Sequence, residues 1–498
     1  MSDQAKQQSP AKAPGPVIDL DLNNIQGDIL SGFPKKTETN YFFGIDNPDL
    51  FKQQLKNFIP LVKTVAQVLK DRKKIDDHKN APHLPGGKPH LIKLAGVNVG
   101  FSHAGLAKLG IVDTNLLDTA FLGGQAADAE GLGDPGSGTG PTFVPDWDAA
   151  FKGNQIHGSF LVAGDSHPTV DSKIREIEKI FGVNTPKSSI CHILSISGDV
   201  RPGVESGHEH FGFLDGISNP LVIGFDQKIP PGPAPVHPGI VLLGRDGDND
   251  STGKPNVRDD WMVDGSFLVF RYLHQKVPEF NKFLSDNSLQ LPGLSKKEGA
   301  DLLGARLVGR WQSGAPVDLA PFEDDPDLVD HPDKVNSFEF TAERDFQKIC
   351  PFAAHVRKTN PRADLEANGI SIETKRILRR GIQFGPEVSK QEQREQRTIF
   401  ARGLLFQCYQ SSIVNGFQFI QKSWANNVNF PPFQKTPQVP GFDPIIGQGA
   451  NRKLSGYDPN DPSKELALPA DPWVVPRGGE YFFVPSIKGL NEKFVATH

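Results

Sequence analysis

Ser266-Phe267-Leu268-Val269-Phe270-Arg271-Tyr272 is a run of apolar and aromatic residues of strand length. A helix is expected to follow it, from Val277 to Leu284. The same order occurs near the start of the chain. Tyr41-Phe42-Phe43-Gly44-Ile45 reads as a strand, and Asp46 or Asn47 caps a helix whose Leu50, Phe51, Leu55, Phe58 and Ile59 fall at helical spacing. Leu94 to Phe101 is a further strand, with a short helix around Ala104 to Leu109 closed by Gly110. Gly158 to Ala163 precedes a helix from about Val170 to Phe181, and Gly403 to Tyr409 precedes one from Gly416 to Trp424. Gly123 to Gly140 reads as a glycine-rich loop. Strand followed by amphipathic helix, repeated in both halves, predicts an α+β protein of two modules, each an antiparallel sheet with helices on one face. The repeat is at domain scale and has no solenoid period.

The chain has 498 residues, enough for two or three domains at roughly 100–200 residues each. Prolines crowd 230–238, the best linker. The expected layout is a disordered tail over 1–16, an N-terminal module over 17–229, the linker, and a C-terminal module over 239–498. The composition, 37% hydrophobic and 23% charged, is that of a soluble globular protein. No apolar run approaches the roughly 18 residues of a membrane span. A net charge of −5 argues against a general nucleic-acid binder. Cys191, Cys350 and Cys408 match no zinc spacing and cannot build a disulfide framework. The N-terminus lacks the apolar segment of a secretory signal, so the direct reading is a cytoplasmic protein, with non-classical export as the other reading. There are 34 Phe but 5 Tyr, and beyond the initiator the only Met is Met262. Residues that oxidise easily are scarce.

Five segments carry candidate chemistry. His208-Glu209-His210 sets two imidazoles on one face of an extended segment, a pattern of some metal sites, but no third or fourth ligand is evident. Asp246-Gly247-Asp248-Asn249-Asp250 begins like a calcium loop, yet Ser251 and Val257 stand where glycine and the last carboxylate belong, and it reads as a solvated turn. Gly212-Phe213-Leu214-Asp215-Gly216 holds a carboxylate between glycines. Cys350-Pro351-Phe352-Ala353-Ala354-His355-Val356-Arg357, with Pro361-Arg362 beyond, is either a buried histidine or a haem axial ligand with arginines for the propionates. Arg379-Arg380-Gly381 in isolation is surface charge.

Taken jointly, Gly-x-x-Asp-Gly, Ala-His-x-Arg and Arg-Arg-Gly, in this order, resemble the dye-decolourising peroxidases, and the long intervening loops look like the fungal members. The resemblance runs from Asn24-Ile25-Gln26-Gly27-Asp28-Ile29-Leu30 through Glu209 to Pro220 and ends near Pro476-Arg477-Gly478-Gly479-Glu480-Tyr481-Phe482. It implies two ferredoxin-like modules and one haem b per chain in the C-terminal module. His355 then matches the proximal iron ligand, Asp443 the carboxylate behind it, Asp215 the distal proton carrier and Arg379 the distal cation. Leu404 and Phe406, two apart on a strand, match the apolar pocket wall, and Ile217, Ser218 and Arg357 join the cofactor-binding set. The implied reaction uses hydrogen peroxide to oxidise bulky aromatic dyes, phenolics and lignin-type compounds through high-valent iron. Trp424 resembles a surface tryptophan that relays electrons, while Phe384 stands where some relatives carry a tyrosine. Glu366 and Glu373 are a candidate Mn²⁺ pair. The expected protein is a monomer or homodimer with no nucleic-acid or membrane partner. The alternative is a haem-binding or haem-processing protein without efficient turnover, which should not need both Asp215 and Arg379.

Overall fold

In a computed structural model the described residues are 19–81, 91–153, 155–432 and 439–495. The tail expected over 1–16 lies outside them. Nine strands form the main sheet: β1 (Thr37–Ile45), β2 (Ala95–Phe101), β3 (Gly158–Gly164), β4 (Ile190–Asp199), β5 (Ser266–Gln275), β6 (Leu378–Arg379), β7 (Ile382–Phe384), β8 (Gly403–Gln410) and β9 (Val474–Val484). Their order is β4-β1-β3-β2-β9-β5-β8-β6, with β7 also on β8, and every pairing is antiparallel. The first four strands come from the N-terminal half and the rest from the C-terminal half. One residue pair, Phe101 with Phe483, joins the halves across the β2–β9 seam. The fold is α+β, as expected, and hydrogen bonding does not close the sheet into a barrel.

The helices flank this sheet. Asn47 caps α1 (Pro48–Phe58), its side chain accepting the Leu50 N–H at 3.1 Å. α2 (Val65–Asn80) follows behind a Thr64/Gln67 capping box. α3 (His103–Lys108) ends before Gly110, as the sequence indicates. α4 (Gln125–Leu132) is a helix inside what the sequence presents as a glycine-rich loop, so that loop is shorter than expected. α5 (His167–Phe181) packs Phe181 against Phe51 of α1 at 5.1 Å and against Phe160 at 5.3 Å. α6 (Val277–Asp286) and α7 (Lys296–Val308) cover the second half, and α8 (His355–Thr359) is a short helix beyond them.

Phenylalanine fills both faces. Alternation along β1 sends Phe43 toward α1 and α5, stacked on Phe160 at 4.4 Å. It sends Phe42 the other way, onto Phe270 of β5 at 5.0 Å and Phe482 of β9 at 6.2 Å. Strands from the two halves therefore share one aromatic interior. Each fully buried ring is worth about 1.5–3 kcal/mol. No helix among the described residues is long and apolar enough to cross a membrane. The residues 246–250 form a turn, with Asp250 accepting the Thr252 and Lys254 N–H groups at 2.8 and 3.0 Å, but it is not solvated throughout, because Asp248 is buried and paired with Arg258 at 2.8 Å.

Candidate active site

The segment before Asp215 is held by its own carboxylate. Glu209 accepts the Phe211 and Phe213 N–H groups, both at 2.9 Å, and the amide of Gln275 at 2.5 Å. Gly212 and Gly216 take φ of +96° and +76°, which a side chain would resist. Phe211 packs on Phe280 of α6 at 4.4 Å and anchors the turn. The Asp215 N–H then donates to the Gly207 carbonyl at 2.9 Å, which fixes where its side chain starts.

Arg379 Nη1 donates to Asp215 Oδ1 at 2.8 Å, and the Gly216 N–H donates to the same oxygen at 2.6 Å. No donor among the described residues reaches Asp215 Oδ2. Arg379 sits on β6, which pairs with Cys408 of β8, and its Nη2 donates to the Ser218 carbonyl at 3.2 Å. Burial pushes the Asp215 carboxyl up, but the Arg379 charge, the Gly216 N–H and the nearby His355 outweigh it and hold the group below the usual carboxylate range. Glu209 is the opposite case: burial pushes it up to about 7 despite its hydrogen bonds.

His355 opens α8. Its Nδ1 lies 2.8 Å from Asp443 Oδ2, and Asp443 Oδ1 accepts the Ile445 and Ile446 N–H groups at 2.8 and 2.9 Å. Burial pushes Asp443 up, but the His355 charge and these donors bring it below its ordinary value, so it stays ionised. Burial pushes His355 down, and the Asp443 charge more than compensates. An ionised carboxylate on Nδ1 fixes the proton there and leaves Nε2 as the ligand atom.

Asp215, Arg379 and His355 line one cavity. Ile217, Ser218, Leu404 and Phe406 line it too, with Leu404 and Phe406 projecting from β8 as the two-residue spacing predicts. Its walls are mainly apolar, with Phe211, Phe213, Leu273, Ile445 and Ile446 among them. A flat apolar macrocycle whose central metal needs one imidazole fits this donor set and these walls.

Two expectations need correction. Arg357 is fully buried and does not face the cavity. It makes a bidentate pair with Asp364 at 2.7 Å and lies over the Phe352 ring, so it serves packing and not a propionate. The cations that line the cavity are Arg271, Arg310, Lys375, Arg376 and Arg379. Trp424 is not a surface residue: its ring is 4% exposed, stacked on Phe430 at 5.0 Å and edge-on to Phe419 at 5.6 Å. Glu366 and Glu373 both act on the charge of Arg376. Glu373 accepts from His237, backbone and ring, at 2.7 Å, and no group of three His, Cys, Asp or Glu suited to a metal occurs among the described residues. His208 and His210 likewise supply no such group. Glu209 and Arg271 are site residues that sequence reasoning missed. Glu209 stands in the quoted motif, at the head of a glycine turn flanked by aromatic anchors, and that context was the available signal.

Comparison with known proteins bears on this geometry. Residues 24–202 match the family model for the DyP dimeric alpha+beta barrel domain, and 245–431 match that for the Dyp-type peroxidase C-terminal domain. A dye-decolorizing peroxidase of Mycena epipterygia is 42% identical over 495 residues, covering 95% of this chain and 86% of that one. A solved structure of an ancestral D-type dye decolorizing peroxidase is 58% identical, with a TM-score of 0.89 over 96% of this chain and 100% of that one. Another, a dye-decolorizing peroxidase in complex with 2,6-dimethoxyphenol, is 44% identical, with a TM-score of 0.84 over 96% of this chain and 100% of that one.

Proposed function

This chain belongs to the dye-decolorizing peroxidase family, and on that premise we propose that it uses hydrogen peroxide to oxidise dyes, phenolics and lignin-type aromatics at the cavity of Asp215, Arg379 and His355. The observation that carries this reading is that a carboxylate–arginine pair and a carboxylate–imidazole pair line one apolar cavity. The family depends on haem, and haem b fits here with His355 Nε2 as its ligand and Asp443 behind. Bound haem supplies an iron centre able to exchange electrons with peroxide. The division at 230–238 into two modules belongs to the same proposal.

The remaining work falls to the chain. Oδ2 of Asp215 is the oxygen free to take a proton from one peroxide oxygen and return it to the other. Arg379 holds Oδ1, so the carboxylate cannot turn away, and its charge favours the developing hydroxide. Leu404, Phe406 and Ile217 exclude water and bulk alike, so a large dye must give up its electron outside the cavity. Trp424 is the route we propose. Ile420 and Gln421, in its own helical segment Ile420–Ala425, line the cavity. Both rings of the Trp424–Phe430 stack are buried, so a dye would dock at the surface above them and pass its electron inward.

The test is spectroscopic. Protein purified with haem supplied should show a strong Soret band that changes promptly with one equivalent of hydrogen peroxide. A Soret band that peroxide leaves unmoved would favour a haem-processing protein. Absence of the band after haem loading would remove the proposal. For the finer part, Trp424→Phe should lose most bulky-dye turnover and keep the peroxide-driven spectral change. Unchanged dye turnover would exclude Trp424 as the main route.

A further inference from the structure

A second tryptophan is wired to the cavity. Trp147 is 2% exposed, and its indole Nε1 donates to Oδ2 of Asp134 at 2.9 Å. Asp134 is itself buried and receives Arg271, Nη1 to Oδ2 at 2.8 Å and Nη2 to Oδ1 at 2.7 Å. Arg271 lines the cavity. Its guanidinium carbon lies 5.8 Å from the centroid of the Trp147 ring. One carboxylate thus links the indole N–H to a cation in the cavity wall.

The other four tryptophans lack this arrangement. Trp311 gives its N–H to the Ala320 carbonyl at 2.7 Å. Trp261 reaches Asp259 at 3.3 Å, a long bond to a more exposed carboxylate. Among the described residues neither Trp424 nor Trp473 has a side-chain acceptor for its indole. Around Trp424 the nearest cations are Lys358, with Nζ 3.3 Å from its carbonyl oxygen and 5.7 Å from the Phe430 centroid, and Lys375, with Nζ 4.0 Å from the Phe419 centroid, and the buried Asp443 beside Ala425 bonds the His355 ring and not the indole.

These surroundings bear on how readily an indole gives up an electron. Oxidation makes its N–H strongly acidic, so an ionised carboxylate already hydrogen-bonded to Nε1 favours the loss. The charge of Arg271 works against it but is matched by the opposite charge of Asp134. The electron would pass to haem that hydrogen peroxide has oxidised, and the Nε1 proton stays shared in the hydrogen bond with Asp134, whose charge continues to match that of Arg271. When an aromatic reducing substrate returns the electron, the neutral indole is restored.

We infer that Trp147 is a second redox-active tryptophan, one that holds an oxidising equivalent inside the protein on the Asp134 hydrogen bond. The inference rests on the peroxidase reading above. Being buried, Trp147 stores the equivalent and does not meet a dye.

The experiment uses haem-loaded full-length enzyme, mixed with one equivalent of hydrogen peroxide, freeze-quenched, and read by electron paramagnetic resonance with ring-deuterated tryptophan as the label. Trp424→Phe should retain a tryptophanyl signal, and that signal should change on exchange into D2O because its Nε1 proton is shared with Asp134. Trp147→Phe combined with Trp424→Phe should lose it, while the Soret band and its response to peroxide remain. If Trp424→Phe alone abolishes every tryptophanyl signal, or the double variant keeps it, the inference fails. The D2O measurement needs no change at Trp147, so poor folding of the double variant does not rescue a signal that is insensitive to exchange. If wild-type haem does not respond to peroxide at all, the failure lies with the peroxidase reading.

Discussion

Asp215→Asn is expected to slow the reaction with hydrogen peroxide about 10²–10⁴-fold, the usual range for a positioned proton carrier. The amide is nearly isosteric. Its oxygen can keep the place of Oδ1 and still accept from Arg379 and from the Gly216 N–H, at 2.8 and 2.6 Å in the native pair. The NH2 group then stands where Oδ2 was, and it cannot take up a proton. His355 and the apolar walls are untouched, so haem should load normally and the resting Soret band should persist. Stopped-flow mixing with peroxide measures the step directly. A rate within a factor of a few of wild type would show that another group moves the proton. Glu209, raised to about 7 in the same cavity, would be the first to examine.

Arg379→Leu carries the second large effect, a loss of about 10²–10³-fold in the same step from removing a cation at developing charge. It should also move the pH profile. In the native site Asp215 lies below the usual carboxylate range because Arg379 opposes the effect of burial. The ionised form, which is the base, persists down to low pH and is lost only as pH falls through that depressed value. Activity should therefore hold in acid, where a histidine base of pKa near about 6.5 would already be protonated. Without Arg379, burial acts with less opposition, the Asp215 pKa rises, and the acid limb moves to higher pH. The pH dependence of the second-order rate constant with peroxide reads both effects. A variant with an unmoved acid limb would mean that Asp215 does not set it. A native optimum above neutrality would contradict the argument outright.

The parts of the site that sit in short motifs were legible in the sequence. Gly212–Gly216, His355 and Arg379 each announce themselves within a few residues, and the fold brings them to one cavity. What depended on distant partners was not legible. Arg357 follows His355 by two positions, yet Asp364 and the Phe352 ring hold it away from the cavity. The exposure of Trp424 depends on Phe430 and Phe419, which no local pattern specifies. The same holds for the elements. The local pattern marks β1, β2, β3, β5 and β8 to within a few residues of their bounds but not β4, β6, β7 or β9, and in β9 it is Gly478 and Gly479 that interrupt it. Those glycines are there because the Phe151 ring and the Gln125 side chain occupy the space: a Cβ would stand 2.2 and 1.6 Å from them. The helix α4 was hidden in the same way, by glycines on both sides of it.

The seam between β2 and β9 has a consequence for how the protein is made. β9 follows every other strand of the sheet in chain order, and it fills the gap between β2 and β5. Until it emerges from the ribosome, both of those strands are open edges, the kind that template aggregation. The native contacts are long in sequence separation, with Phe42 against Phe482 and Phe101 against Phe483. A topology of this kind folds slowly, because distant segments must meet before their burial stabilises anything. Truncation near the C-terminus would therefore leave two unfinished half-sheets and not a smaller enzyme. Yield in a recombinant host should depend on chaperones and low temperature as much as on haem.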